Sequence, residues 1–428
     1  MPAEAAIMHF DLRYGDGTVP LDVDDSRAPH VIHLNALPVL KHPLEEARRV
    51  LAAPTGHAPL AEDLRSKKPE KIVVVINDET RPTPYEVFFP ALLEAFAAAG
   101  VRDDQVTFLI ATGTHRLQSD ELNRRLYGSG MIDRFRFVCH VCTDDSSLVS
   151  LGRLPSGYEF VLNRLAVEAD YLITLGVVSP HYFAGYSGGR KSILPGICGK
   201  KTVQDNHARM VEILDHMPPI RENPISLEMI EAARRVGVNF VFNAVMNADN
   251  QVVRLVAGDL VEAWYEAVDT SSSMYEIPFT DPVDIAVSSA CGYPRDVNWY
   301  QAQKAIDHAD KIVKPGGTII VCGECRDGYG NNVFEEWMKK KLPPEEVMRE
   351  IRAHFVLGGH KAFAFAKVAS EKKLVLVSSM NAEDTATLYG TKAASVQEAF
   401  DQAVAACPDA SIAIMPEGGL TLPVHMNA

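Results

Sequence analysis

The chain has 428 residues, 47% of them hydrophobic and 23% charged, the balance of a globular protein with material for two or three domains. Lys and Arg number 42 against 56 Asp and Glu, a formal charge of −14, which argues against nucleic acid or an anionic membrane as partner. The longest uncharged stretch, 171–189, holds Ser, Pro, His and several Gly and is no membrane span. The first residues carry acids and no signal-like apolar run, and seven cysteines then read as reduced thiols of a cytoplasmic protein.

Taken in order, short apolar runs alternate with helical patterns, which predicts an α/β protein of two domains, each a mixed or mostly parallel sheet flanked by helices. Strands are expected at 71–76, 105–111, 171–178, 283–289, 317–322, 373–378 and 410–415. Thr83 as cap, Pro84 in the first turn and Gly100 at the end bracket a helix; others follow Ser119, Ser226 and Gly258. Residues 273–282, SMYEIPFTDP, carry two prolines and no periodicity. They separate an N-terminal domain, 1–275, from a C-terminal α/β domain, 283–410, with the terminal segment 411–428 free to return to the first.

Four apolar strands run directly into polar clusters: NDETRP (77–82), ATGTHR (111–116), SPHYFAGYSGGRKS (179–192) and ACGYPRDVNWYQAQK (290–304). Open α/β sheets bind ligands outside the carboxyl ends of their strands, so the clusters are expected to converge on an active site in the interdomain cleft.

The third cluster is the richest. Gly185, Gly188 and Gly189 leave backbone N–H groups free to approach an anion, and Arg190 adds charge. The segment is not a P-loop: Arg190 stands where the second glycine belongs, and Pro195 interrupts the helix that should follow. Lys191, in charge-poor surroundings, suits a nucleophile or cofactor tether, against the ordinary reading of a surface lysine. His115 and His181 occupy matching strand ends, which favours function over two unrelated core histidines. His207 sits on an expected helix and carries little signal alone. Cys139–Cys142 and Cys322–Cys325 are too far apart in the chain for a zinc ribbon, and GYGNNV (328–333) does not directly follow its strand, so neither zinc nor free NAD is supported. Arg81 offers a fork for a carboxylate, although an Asp78–Arg81 ion pair at a turn would be equally ordinary. Tyr300, Gln301 and Lys304 begin a helix, Tyr300 and Lys304 on one face.

In this combination and order the sequence resembles the nickel-dependent lactate racemases and their racemase/epimerase homologues. The motifs are DETRP, GTHR, SPHYFAGYSGGRKSILPGI, the later His207, and Tyr300-Gln301 with Lys304. The resemblance implies a nickel-pincer nucleotide, a pyridinium mononucleotide whose thioamide and thiocarboxylate arms hold nickel with a ring carbon. It implies that Lys191 forms the covalent thioamide, with Asp78, Gly188, Gly189 and Arg190 also at the cofactor. His207 is the implied metal ligand, His115 and His181 the acid/base pair, and Arg81, Tyr300, Gln301 and Lys304 the substrate set. The implied reaction is racemisation of a 2-hydroxy acid by proton-coupled hydride transfer through a transient 2-keto acid. Separate maturation proteins, a sulfur transferase and a nickel insertase, are the implied partners, so a chain made without them is expected to lack the cofactor. Three alternatives remain open: a larger substrate of malate, aryl-lactate or aldonate type, a Schiff-base lysine for pyridoxal phosphate at Lys191, and a non-catalytic nickel or cofactor carrier.

Overall fold

The protein is described by a computed structural model that covers residues 6–213 and 217–425. Two compact units emerge: Leu37–Ser272, and the residues up to Ala36 together with those from Ser273 onward.

In the Leu37–Ser272 unit six strands form one sheet in the order Val252–Gly258, Val238–Met246, Tyr171–Val177, Ile72–Asn77, Val106–Ala111, Arg136–Cys139. All neighbours run parallel except the edge strand Val252–Gly258. Successive side chains of a strand face opposite ways, and the core respects this. Ile72, Val74, Ile76, Phe108, Ile110, Ile173, Leu175, Phe240 and Phe242 pack with helices Pro43–Ala52, Leu60–Lys67 and Tyr85–Ala99. The other face, with Asn243 and the following Val178, receives the loop that carries Gly188 and Gly189. The Tyr85–Ala99 helix ends, as expected, on left-handed Gly100, but its cap is Pro84 rather than Thr83. The helix expected after Ser226 starts earlier, at Pro224, because Asn223 supplies the capping oxygen.

The second unit holds an all-parallel sheet in the order Gly390–Lys392, Lys373–Val377, Val313–Cys322, Val283–Ser289, Ile412–Met415, His30–Val31. Helix Trp299–Asp310 lies on one face, where Ser288 Oγ donates to the Ala305 carbonyl at 3.1 Å. The opposite face packs helix Val396–Ala406 and an antiparallel hairpin, Ile7–Tyr14 with Gly17–Asp24, that sequence periodicity did not reveal. The first residues therefore belong with this unit, not with the N-terminal domain to which chain order assigned them. The described part of 411–428 stays here too: Ile412–Met415 pairs with Val283–Ser289, and Leu422–His425 with Glu276–Phe279. Residues 426–428 lie outside the described residues. Among the described residues no helix is long and apolar enough to cross a membrane.

Two outcomes follow from these contacts. Leu21 is fully buried among Ile285, Val287, Ile412 and Ile414, so Leu21→Ala should cost about 2–5 kcal/mol in chemical denaturation. Hydrogen exchange should quicken in Val283–Ser289; quickening confined to Ile72–Asn77 would contradict the placement of the hairpin. Second, Asp284 is hydrogen-bonded by Lys314 Nζ at 2.8 Å and by Ser411 Oγ and N at 2.6 and 2.9 Å. These donors lower its pKa from 3.8 to about 2. A depressed folded-state pKa stabilises fully above the ordinary value and is lost as pH falls through the folded one. Acid titration should thus show a stability loss between pH 3.8 and 2 that is smaller in Asp284→Asn.

Candidate active site

Three neighbouring parallel strands, Tyr171–Val177, Ile72–Asn77 and Val106–Ala111, end on the same edge of their sheet, and each delivers one of the expected polar clusters. The loops that follow are laced together by hydrogen bonds. Glu79 N donates to Gln118 Oε1 at 2.7 Å, and Gly113 N to the Gly196 carbonyl at 2.9 Å. The strand end at Asn77 is fixed by the hydroxyls of Tyr85 and Tyr127, which donate to its carbonyl at 2.7 and 2.9 Å.

Asp78 is 5% exposed, and its Oδ2 accepts from His115 Nδ1 at 2.6 Å. Its Oδ1 accepts from Thr80 Oγ1 at 2.6 Å and Thr80 N at 3.1 Å. Burial alone would raise this carboxyl; the His115 bond, the Thr80 hydroxyl and the nearby Arg81 charge outweigh it and hold the pKa below the ordinary value. A carboxylate only accepts, so Nδ1 of His115 carries the hydrogen, and in the neutral ring Nε2 keeps its lone pair. The imidazole is 49% exposed, open to a ligand. Asp78 thus orients His115 through Oδ2 while Thr80 holds Oδ1. Arg81 is half-buried, with Nη1 resting on the Thr80 carbonyl at 3.0 Å.

The loop after Tyr171–Val177 is organised around two residues that sequence reasoning misassigned or missed. Arg190 was expected to offer charge to an anion; instead it is fully buried. Its guanidinium donates to the carbonyls of Tyr186 and Ala184, both at 2.8 Å, to those of Ser187 and Gly188 at longer range, and to Ser226 Oγ at 3.0 Å. It stacks 3.7 Å from the ring centroid of Trp264, and burial lowers its pKa to about 9. Arg190 is a clamp on its own loop. The glycines serve packing likewise: a Cβ on Gly188 (φ +73°) would lie 2.6 Å from Val178 Cγ2, and one on Gly189 (φ +49°) 2.9 Å from Trp264. The Gly189 N–H is not free for an anion, because it donates to Asn243 Oδ1 at 3.1 Å.

Phe183 is the missed residue. Its buried ring meets His181 edge-on at 4.7 Å and His207 at 4.6 Å, and the Lys191 ammonium lies 5.6 Å above it. Three expected site residues thus gather around one ring that no pattern in the sequence singled out. His181 Nδ1 accepts from Ala184 N at 3.4 Å, which leaves Nε2 to carry the hydrogen in the neutral ring. His207, on helix Lys200–Ala208, is 9% exposed and its Nδ1 has no hydrogen-bond partner. Burial first, and then the Lys191 charge, push its pKa down to about 3, so the imidazole is neutral.

Tyr300, Gln301 and Lys304 lie in the other unit, on helix Trp299–Asp310, which Asn298 caps by accepting from Gln301 N at 3.1 Å. All three are half-buried. The Tyr300 ring packs edge-on against His360 and Phe334, and burial raises its pKa to about 12.

Residues 14–216 match the family model of the lactate racemase N-terminal domain, and 280–422 that of the C-terminal domain. Among known proteins the chain is 31% identical to the lactate racemase of Thermoanaerobacterium thermosaccharolyticum over 96% of its length and 98% of the relative's. It is 33% identical to the lactate racemase of Lactiplantibacillus plantarum, with the same coverage. The solved structure of the lactate racemase apoprotein of T. thermosaccharolyticum superposes with a TM-score of 0.89 at 30% identity, over 97% of this chain and all of that one. A Thermotoga maritima protein superposes with a TM-score of 0.65 at 20% identity, over 86% and 97%, and shares the fold.

Because the guanidinium of fully buried Arg190 donates to four carbonyls of its own loop, Arg190→Met should destabilise by about 1–3 kcal/mol. Chemical denaturation measures it, and a loss below about 0.5 kcal/mol, the level of an ordinary surface substitution, would refute the clamp.

Proposed function

The chain belongs to the lactate racemase family, and from that premise we propose that it racemises or epimerises a 2-hydroxy acid, lactate first. The observation that carries this reading is the pair of unlike histidines on one sheet edge. His115, with Nδ1–H committed to Asp78, presents a basic Nε2; His181, accepting at Nδ1, presents Nε2–H. One imidazole is thereby set to receive the substrate hydroxyl proton and the other to supply one, the two roles an inversion at C2 requires. The Asp78 carboxylate also stabilises the imidazolium that forms when His115 takes the proton.

The residues fit a nickel-pincer nucleotide. His207 offers a buried, neutral imidazole with an unpartnered nitrogen, a donor suited to Ni(II). Lys191 stands beside it as the amine that would be joined covalently, and Gly188, Gly189 and Arg190 shape the loop that presents it. When bound, this group would supply a reversible acceptor for the C2 hydrogen with its electron pair, chemistry that no amino-acid side chain offers. Phe183 keeps water from the space between His181, Lys191 and His207. Arg81 would fix the substrate carboxylate with its fork so that only the reacting centre turns over, and Tyr300, Gln301 and Lys304 are proposed to complete substrate binding. Sulfur-transferring and nickel-inserting proteins would be the maturation partners, consistent with a cytoplasmic protein.

A carrier that merely stores nickel has no use for a half-exposed imidazole oriented by a buried carboxylate, which weighs against that reading. The test is turnover of D- and L-lactate, with malate, aryl-lactates and aldonates in parallel, by protein co-produced with the maturation proteins. Inertness towards the whole panel would overturn the proposal. His115→Ala and His181→Ala should each lower kcat by about 10²–10⁴-fold while nickel content by elemental analysis stays at the wild-type level. Loss of the metal instead would mean these histidines are ligands.

A further inference from the structure

His207 needs more than a helix to hold it, because its own Nδ1 has no hydrogen-bond partner and its ring leans on the edge of Phe183. The hydrogen bonds that hold its helical turn converge instead on one distant side chain. Glu228, on helix Pro224–Val236, is 4% exposed. Its Oε2 accepts from Asn206 Nδ2 at 2.9 Å, the residue directly before His207. Its Oε1 takes Arg209 Nη1 at 3.4 Å, two residues after His207, and the hydroxyl of Ser156 from the turn of the Leu148–Arg153 and Glu159–Asn163 hairpin. Arg209 reaches back as well, donating to the Pro224 carbonyl at 3.2 Å at the start of the same helix.

We propose that Glu228 is a positioning residue for His207, a buried carboxylate that grips the turn on both sides of the imidazole and fixes where its unpartnered nitrogen points. The inference rests on His207 being the nickel ligand. A carboxylate in an apolar interior is costly unless its lone pairs are filled; here three donors from two segments fill them, and two of the three flank one imidazole. Groups behind a ligand that fix its orientation typically alter metal affinity by about 10–100-fold when removed.

The experiment compares protein co-produced with the maturation proteins as wild type, Glu228→Gln, Asn206→Ala and, as a control on the outer face of the same helix, Glu231→Gln. Two quantities are read: amide hydrogen exchange over 203–209 in protein made without the maturation proteins, and the rate at which a chelator strips nickel from the matured protein. Glu228→Gln and Asn206→Ala should exchange at least about tenfold faster over 203–209 and lose nickel at least about tenfold faster. Their KM should stay within twofold, and the covalent mass on Lys191 should be unchanged; Glu231→Gln should match wild type throughout. Wild-type exchange and nickel loss in both variants would overturn the inference. Should Glu228→Gln fail to fold, Asn206→Ala, which leaves the carboxylate with Ser156 and Arg209, decides the question alone. A wild-type protein that acquires no nickel would sink the cofactor reading, while the exchange rates would still judge the grip on the turn.

Discussion

The loop of the candidate site is held by a fully buried cation, Arg190. Stripping a guanidinium of water is costly, and it is tolerated only where every donor direction finds an acceptor. Arg190 finds them in the carbonyls of Ala184, Tyr186, Ser187 and Gly188, and its flat face lies on Trp264. Those carbonyls belong to a loop with almost no regular structure of its own, and the guanidinium gathers them onto one point beside the loop's own N–H donors. Trp264 contributes twice, stacking on Arg190 and donating from Nε1 to the Ser187 carbonyl at 2.9 Å. One consequence is directional: with Arg190 turned inward, its neighbour Lys191 projects the other way, towards Phe183 and His207.

Around that fixed loop the chemistry is divided by tautomer rather than by residue type. Two histidines of the same intrinsic basicity become different tools because one gives its Nδ1 hydrogen to a buried carboxylate and the other takes a hydrogen from a backbone amide. A third is made unlike both by burial, which keeps it neutral with an idle nitrogen. In each case the environment sets the proton, and the imidazole follows.

The second unit applies the same economy to a different end. Asp296, fully buried, accepts through Oδ2 from Gly15 N at 2.7 Å and Glu324 N at 2.8 Å. Ser289 Oγ adds a bond to the Arg13 carbonyl at 2.7 Å. The N-terminal hairpin is thereby tied to the loop that leads from the Val283–Ser289 strand into helix Trp299–Asp310. The helix that carries Tyr300, Gln301 and Lys304 starts from a loop braced by residues nearly three hundred positions away in the chain.

The strands at 72–77, 106–111, 171–177 and 283–289 were legible in the sequence because a buried parallel strand must be apolar throughout, and such runs stand out against amphipathic helices. The placement of polar clusters at their carboxyl ends was equally legible, since chain order alone puts those residues there. What the sequence left undetermined was partnership. Arg190 looked like an anion ligand because a positive charge beside glycines suits both a ligand and a clamp, and only the presence of Trp264 and four inward carbonyls selects the clamp. Asp78 could have touched Arg81, a cofactor or His115; a loop some forty residues away decided it. Phe183, Asn243 and Glu228 carried no local signal, because the worth of an aromatic ring, an amide or a carboxylate at such a place lies in neighbours brought there by the sheet. The assignment of the first residues to the second unit likewise followed from long-range packing, Leu12, Leu21 and Val23 against Ile285 and Ile412. Periodicity is a property of adjacent residues and is written in the chain; complementarity between distant groups exists only once the chain has folded.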